Sequence, residues 1–195
     1  ENGRGVYSFC MCPGGYVVNA SSEPEMLAVN GMSYQARDSR NANSALIVSV
    51  TPADFPEEGP LGGVAFQRNL ERAAWKAGNG KVPVQLFEDY QNHKPSTRLK
   101  DVEPCIKGDC VPGDVRSIFP KEIGDSIEEG VLAFEKKSKA LTVLMQCCPA
   151  WKAEHHLRCV LSVIRIPWKQ TMRGFTHVGK ALDMQAGLLL LLWMA

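Results

Sequence analysis

Seven cysteines stand at positions 10, 12, 105, 110, 147, 148 and 159. Cys10 and Cys12 form a Cys-x-Cys pair, and Cys105 and Cys110 a Cys-x4-Cys pair. Four thiolates can hold zinc tetrahedrally, although the usual knuckle spacing is Cys-x2-Cys and nothing in the sequence joins the two pairs. A disulfide between Cys10 and Cys12 would close a small, strained ring, so thiol redox chemistry ranks below zinc. The plain alternative is that each thiol serves as a small buried hydrophobe. His155, His156 and Cys159 cluster, but adjacent residues on a helix point apart, so a metal corner there needs a loop.

A second group of residues offers donors rather than ligands. Pro13-Gly14-Gly15 permits positive φ and a close backbone approach. Asn30-Gly31-Met32-Ser33 reads as another turn between apolar runs, and Arg37, Asp38, Asn41 and Asn43 follow it. Each feature alone fits an ordinary hairpin or surface pair. Together they make a patch rich in N–H donors, suited to a phosphate, an anionic ring or a carbonyl oxygen.

The elements that must position these residues are legible from apolar spacing. Short β-prone runs fall at residues 5–10, 16–19 and 26–29, and a stronger strand at 44–50. Phe66, Leu70, Ala73, Ala74 and Ala77 keep the helical period from about Leu61 to Ala77, and Gly78-Asn79-Gly80 stops it. Pro120 suits the first position of a second helix, with Ile123, Ile127, Val131 and Phe134 on one face. Residues 93–114 read as irregular loop. The fold class is α+β.

Composition bounds the function. The 195 residues are 45% hydrophobic and 22% charged with a net charge of +1, which gives no drive toward nucleic acid or an acidic membrane. The apolar run 187–195 is far shorter than the ~20 residues of a bilayer span. An odd cysteine count without scaffold spacing suits a reducing cytoplasm. Residues 1–135 carry 13 bases and 19 acids, a net of −6, whereas 136–195 carry 9 bases and 2 acids, a net of +7. Three of the four Trp and three of the four His also lie in that last stretch. The opening Glu1-Asn2-Gly3-Arg4 reads as the middle of a longer chain.

The strings "VYSFCMCPGGYVVNASSE", "VNGMSYQARDSRNANSALIVSV", "FQRNLERAAW" and "VPVQ" resemble the bacterial FAD-dependent dehydrogenases labelled NAD(FAD)-utilising dehydrogenases, over residues 4–135. The resemblance implies a piece of a two-domain, glutathione-reductase-like flavoprotein. Residues 1–135 are then mainly its substrate or cap region. It implies an oxidoreductase that passes hydride or electrons through FAD, with NAD(P)H as a candidate electron donor and a small-molecule substrate. The Gly-x-Gly-x-x-Gly fingerprint that grips the FAD phosphates is absent from this sequence. This chain alone is therefore expected not to hold FAD. On the resemblance, Cys12, Pro13, Gly14 and Gly15 form a turn packed toward the flavin, and Asn30, Gly31, Met32, Ser33, Arg37 and Asn43 line the same cleft. The competing reading is a non-catalytic module with cysteine-bound zinc and a basic C-terminal tail.

The family continues with a "TRTSSPVR"-like stretch and a Gly-rich "GEGAGYAGGI" segment, neither of which is printed here. Residues 150–160 can be back-translated so that a one-step regrouping of bases reads V-E-S-R-T-S-S-P-V-R. Residues 173–188 likewise regroup to G-F-Y-P-C-G-E-G-A-G-Y-A-G-G-I. A frame slip near Glu135-Lys136-Lys137, where codons are A-rich, is therefore expected, with 136–195 an out-of-frame, poorly structured tail.

Overall fold

The computed structural model describes residues 3–99, 102–137, 160–161, 163–164 and 190–194. Four strands come first: β1 (Val6–Cys12), β2 (Gly15–Asn19), β3 (Val29–Ser33) and β4 (Asn43–Val48). Helix α1 (Gly62–Ala77), strand β5 (Val82–Leu86) and the short helix α2 (Phe87–Gln91) follow. Then come β6 (Ile106–Lys107), β7 (Cys110–Pro112) and helix α3 (Lys121–Lys137). The described pieces beyond α3 are β8 (Val160–Leu161), β9 (Val163–Ile164) and β10 (Leu190–Met194).

One sheet has the order β1-β4-β10-β9-β3-β2-β6, and a smaller one the order β7-β5-β8. β10 pairs antiparallel with β4, from Leu190 opposite Val48 to Met194 opposite Ser44. β9 meets β3 at Val29 opposite Ile164. His155, His156, Cys147, Cys148 and Cys159 lie outside the described residues.

The core follows from the periodicities. On α1, Phe66, Leu70 and Ala74 are buried at the spacing of one helical stripe. On α3, Ile123, Ile127 and Val131 do the same. Leu27, Leu46, Val48, Val84, Phe87 and Tyr90 complete a single apolar cluster with them. Each fully buried aliphatic side chain contributes about 1.5–3 kcal/mol. Helix α3 lies close enough to β1 that a Cβ on Gly130 would stand 2.4 Å from Val6 Cγ1.

The end of α1 is a Schellman cap. Gly80 N–H donates to Trp75 O at 2.9 Å and Asn79 N–H to Lys76 O at 3.1 Å, while Asn79 takes φ +49°. The left-handed position thus falls on the asparagine between the two glycines.

Three sequence expectations are corrected, the strand at 26–29 among them, of which only Val29 is strand. Asn30-Gly31-Met32-Ser33 is not a turn: it is strand, with Val17 opposite Gly31 and Tyr16 opposite Met32. The reversal before it is at Glu23-Pro24-Glu25, where proline presets one φ and Glu25 accepts φ +57°. Accordingly Met26, Leu27 and Ala28 are buried as a non-strand approach to β3. The irregular stretch 93–114 contains the two short strands β6 and β7, divided by Gly108 at φ +113°.

Candidate functional site

The Pro-Gly-Gly motif joins β1 to β2 at a corner where three segments meet. β1 carries an irregularity between Phe9, opposite Ala45, and Cys12, opposite Asn43. One extra residue on β1 is thus accommodated just before the turn. Gly14 has φ +59°, and a Cβ there would stand 2.2 Å from the Arg37 carbonyl carbon and oxygen. Gly15 is equally constrained, since a Cβ would fall 2.1 Å from Asn43 Nδ2. Glycine is required at both places by close approach, and at Gly14 by backbone conformation as well.

Asn43 is the strut of this corner. It is 2% exposed. Its Nδ2 donates to Tyr16 O at 3.0 Å and to Met32 O at 3.4 Å, which ties β4 to β2 and β3. Two carbonyl acceptors fix the amide's orientation, so Oδ1 faces the other way, and that buried atom has no hydrogen-bond partner among the described residues. The loop that covers the corner is pinned from its own side. Gly15 N–H donates to Asn41 O at 2.7 Å, Ser39 Oγ donates to Gly15 O at 3.1 Å, and Asn41 Nδ2 donates to Glu103 O at 2.9 Å. Arg37 N–H closes a turn on Tyr34 O at 3.1 Å, with Arg37 at φ +52°. A non-glycine residue in that region costs about 1–3 kcal/mol, a strain that surrounding packing must hold.

Strand alternation sorts the remaining candidates onto two faces. Gly31 and Ser33 lie on the face of β3 that turns toward the core, together with Val29 and Val17. Asn30 and Met32 lie on the outer face, opposite Val18 and Tyr16, and both are exposed. That outer face carries an aromatic platform. The Tyr16 and Tyr34 rings meet edge to face at 5.3 Å. Lys107 Nζ sits 4.2 Å from the Tyr16 centroid and 5.4 Å from that of Tyr34. An ammonium over an aromatic face is held by the ring quadrupole.

The structure therefore brings Cys12, Gly14, Gly15 and Asn43 together with the Arg37 backbone as one built corner. It places Pro13, the Arg37 side chain, Asn30 and Met32 at the surface. Tyr16, Tyr34 and Lys107 were not singled out from the sequence. Their signal was the alternation of "YVVN" against "VNGMS", readable only once Tyr16 was known to face Met32.

Among the described residues, Cys12, Cys105 and Cys110 stand on different elements. Cys12 ends β1, Cys105 is buried with its carbonyl accepting from Val17 N–H at 2.8 Å, and Cys110 begins β7 in the other sheet. Burial, and then the neighbouring Asp109 carboxylate, push the Cys110 thiol up. Among the described residues no group of three or more His, Cys, Asp or Glu could hold a metal ion.

The corner is packed by the chain's own Arg37 backbone and Asn43 amide, and it is flanked by an aromatic strand face that carries Lys107. Comparison with known proteins assigns the chain a family. Residues 1–145 match the family described as FAD-dependent protein, C-terminal domain-like, and the chain belongs to it. An uncharacterized protein of Clostridium beijerinckii (strain ATCC 51743 / NCIMB 8052) is 48% identical over 138 residues, covering 70% of this chain and 26% of that protein. The chain thus spans about a quarter of the length of the relative it matches. Among the described residues no helix is long and apolar enough to cross a membrane.

Proposed function

We propose that residues 1–135 are the substrate- or cap-side part of an FAD-dependent oxidoreductase and that the glycine corner, with the outer face of β3 and β2, lies against the flavin. The observation that carries this reading is that a match to an FAD-dependent family covers the whole corner, from Gly14 to Asn43. The residues present suit the ring system. Met32, Tyr16 and Tyr34 offer apolar and aromatic surface, and Arg37 and Lys107 offer cations.

FAD, when bound, supplies a ring that accepts and returns a hydride. The chain's own part is geometry and field. Gly14 and Gly15 let the Arg37 backbone and the Asn43 amide pack against the turn, which fixes where the Arg37 side chain leaves the corner. The Arg37 guanidinium stabilises negative charge that develops near it, more so in a site that excludes water. Asn43 holds the three strands so that these groups keep their spacing. The test is the full-length protein carrying this segment: Arg37→Ala is expected to shift the flavin spectrum and lower its reduction potential. An unchanged spectrum and potential would remove Arg37 from this role.

The sequence beyond residue 136 is proposed to be read in a shifted frame. The reversal from net −6 to net +7 supports this. The DNA across codons 133–142 tests it: an intact frame with no homopolymer run overturns the proposal.

A further inference from the structure

Asn-Gly pairs occur at 2–3, 30–31 and 79–80. Asn2 lies outside the described residues, which leaves two pairs to compare. Sequence alone makes them equivalent, since both lack a side chain on the following residue. Their backbones differ.

At Asn79-Gly80 the glycine N–H is committed to Trp75 O at 2.9 Å, and Asn79 N–H to Lys76 O at 3.1 Å. These bonds are the cap of α1, a 16-residue helix whose Ala74 and Leu70 are buried. The Gly80 nitrogen can reach the Asn79 side chain only if the cap opens.

At Asn30-Gly31 the glycine N–H is given to the Asn30 side chain itself, 2.9 Å from Oδ1. The Cγ carbon is one bond behind that oxygen. The antiparallel ladder turns this N–H away from β2. Ala20 N–H donates to Ala28 O, so the hydrogen-bonded pairs fall at even positions and Val17 opposite Gly31 is a non-bonded pair. Asn30 is exposed to water. Nucleophilic nitrogen and electrophilic carbon are therefore neighbours without loss of a bond to β2, the condition that makes an intramolecular reaction fast.

We propose that Asn30 is the deamidation site of the folded chain. The Gly31 nitrogen bonds to Asn30 Cγ, and its proton is relayed through water to Nδ2. The Cγ–Nδ2 bond breaks, Nδ2 leaves as ammonia, and a five-membered succinimide closes. Water then opens either carbonyl, leaving aspartate or isoaspartate. Aspartate sets a carboxylate on the outer face of β3, on the same side as Lys107. Isoaspartate adds a backbone methylene to β3 and breaks the alternation that puts Met32 outside and Ser33 inside.

The test is peptide mass mapping of the folded chain after incubation at mildly alkaline pH, with isoaspartyl methyltransferase labelling, beside the same chain in denaturant. Position 30 is expected to convert several-fold faster than position 79 in the folded chain, with the difference lost in denaturant. Gly31→Ala is expected to slow position 30 and leave position 79 unchanged. Equal or faster conversion at 79 in the folded chain overturns the proposal. So does an inert position 30 over a period in which the denatured chain converts at both.

Discussion

Asn43 occupies the space that a side chain on residue 15 would need: a Cβ built on Gly15 would stand 2.1 Å from Asn43 Nδ2 and 2.6 Å from Cγ. Glycine and asparagine are thus one unit, in which the missing side chain of the first admits the amide of the second. Gly15→Ala is expected to destabilise by about 1–3 kcal/mol through overpacking. Asn43→Ala is expected to cost about 1–3 kcal/mol, because the Tyr16 and Met32 carbonyls lose their donor. The double variant should cost less than the sum, since the alanine at 43 leaves room for the methyl at 15. Denaturant titration of all four proteins measures the coupling, and strict additivity would contradict it.

Gly14 and Gly80 separate conformation from crowding. Both have positive φ, +59° and +82°. A Cβ at Gly80 would meet nothing nearer than Trp75 Nε1 at 3.7 Å, whereas one at Gly14 would strike the Arg37 backbone. Alanine at Gly80 should cost roughly the 1–2 kcal/mol of the left-handed region. Alanine at Gly14 should cost clearly more, because backbone cannot swing aside as a side chain can. Equal losses of stability in thermal or denaturant melts would contradict the close approach at the corner.

Arg4 and Asp54 give the chain an acid-sensitive clamp. The Arg4 guanidinium pairs with the Asp54 carboxylate through two nitrogens and also donates to Ser49 O at 3.1 Å. The Arg4 hydrogen bond, assisted by those from Thr51, holds the Asp54 carboxyl below its usual range. A group depressed in the folded state adds stability that is present above its unfolded pKa and lost as pH falls through the folded one. Asp54→Asn should therefore cost about 1.5–3 kcal/mol near neutrality. It should also flatten the loss of stability below about pH 4. A variant that keeps the parent's acid profile would contradict the clamp.

Tyr90 is buried, donates to Gly124 O at 3.1 Å, and has the Arg116 guanidinium 4.8 Å from its ring. Burial is the main cause that drives its phenol far above the ordinary value. In an alkaline absorbance titration, Tyr90→Phe should remove a component that ionises only as the chain unfolds, at a cost of about 1 kcal/mol for the lost hydrogen bond. Retention of that late component would place it elsewhere.

Both long helices were legible because their apolar period and stop signals agree. Phe66, Leu70 and Ala74 form one stripe, and Gly78-Asn79-Gly80 ends it. Strand β4 was legible as a continuous apolar run. Strand β3 was not, because Asn30-Gly31 carries the local chemistry of a hairpin turn while its pairing with β2 is a long-range fact. The true reversal hid in Glu23-Pro24-Glu25, since glutamate is an unusual residue at positive φ. Of the site, the glycines declared themselves through their type. That Gly15 makes room for Asn43, and that Tyr16, Tyr34 and Lys107 share one face, depends on register, which no local pattern encodes.

The central claim is that this corner lies against a flavin in the full-length protein. The most direct measurement is the visible absorbance spectrum and reduction potential of that protein, purified with and without Arg37→Ala. One flavin per chain, with a spectrum and potential moved by the substitution, is the expected result. A colourless full-length protein, or a flavin indifferent to Arg37, would contradict it.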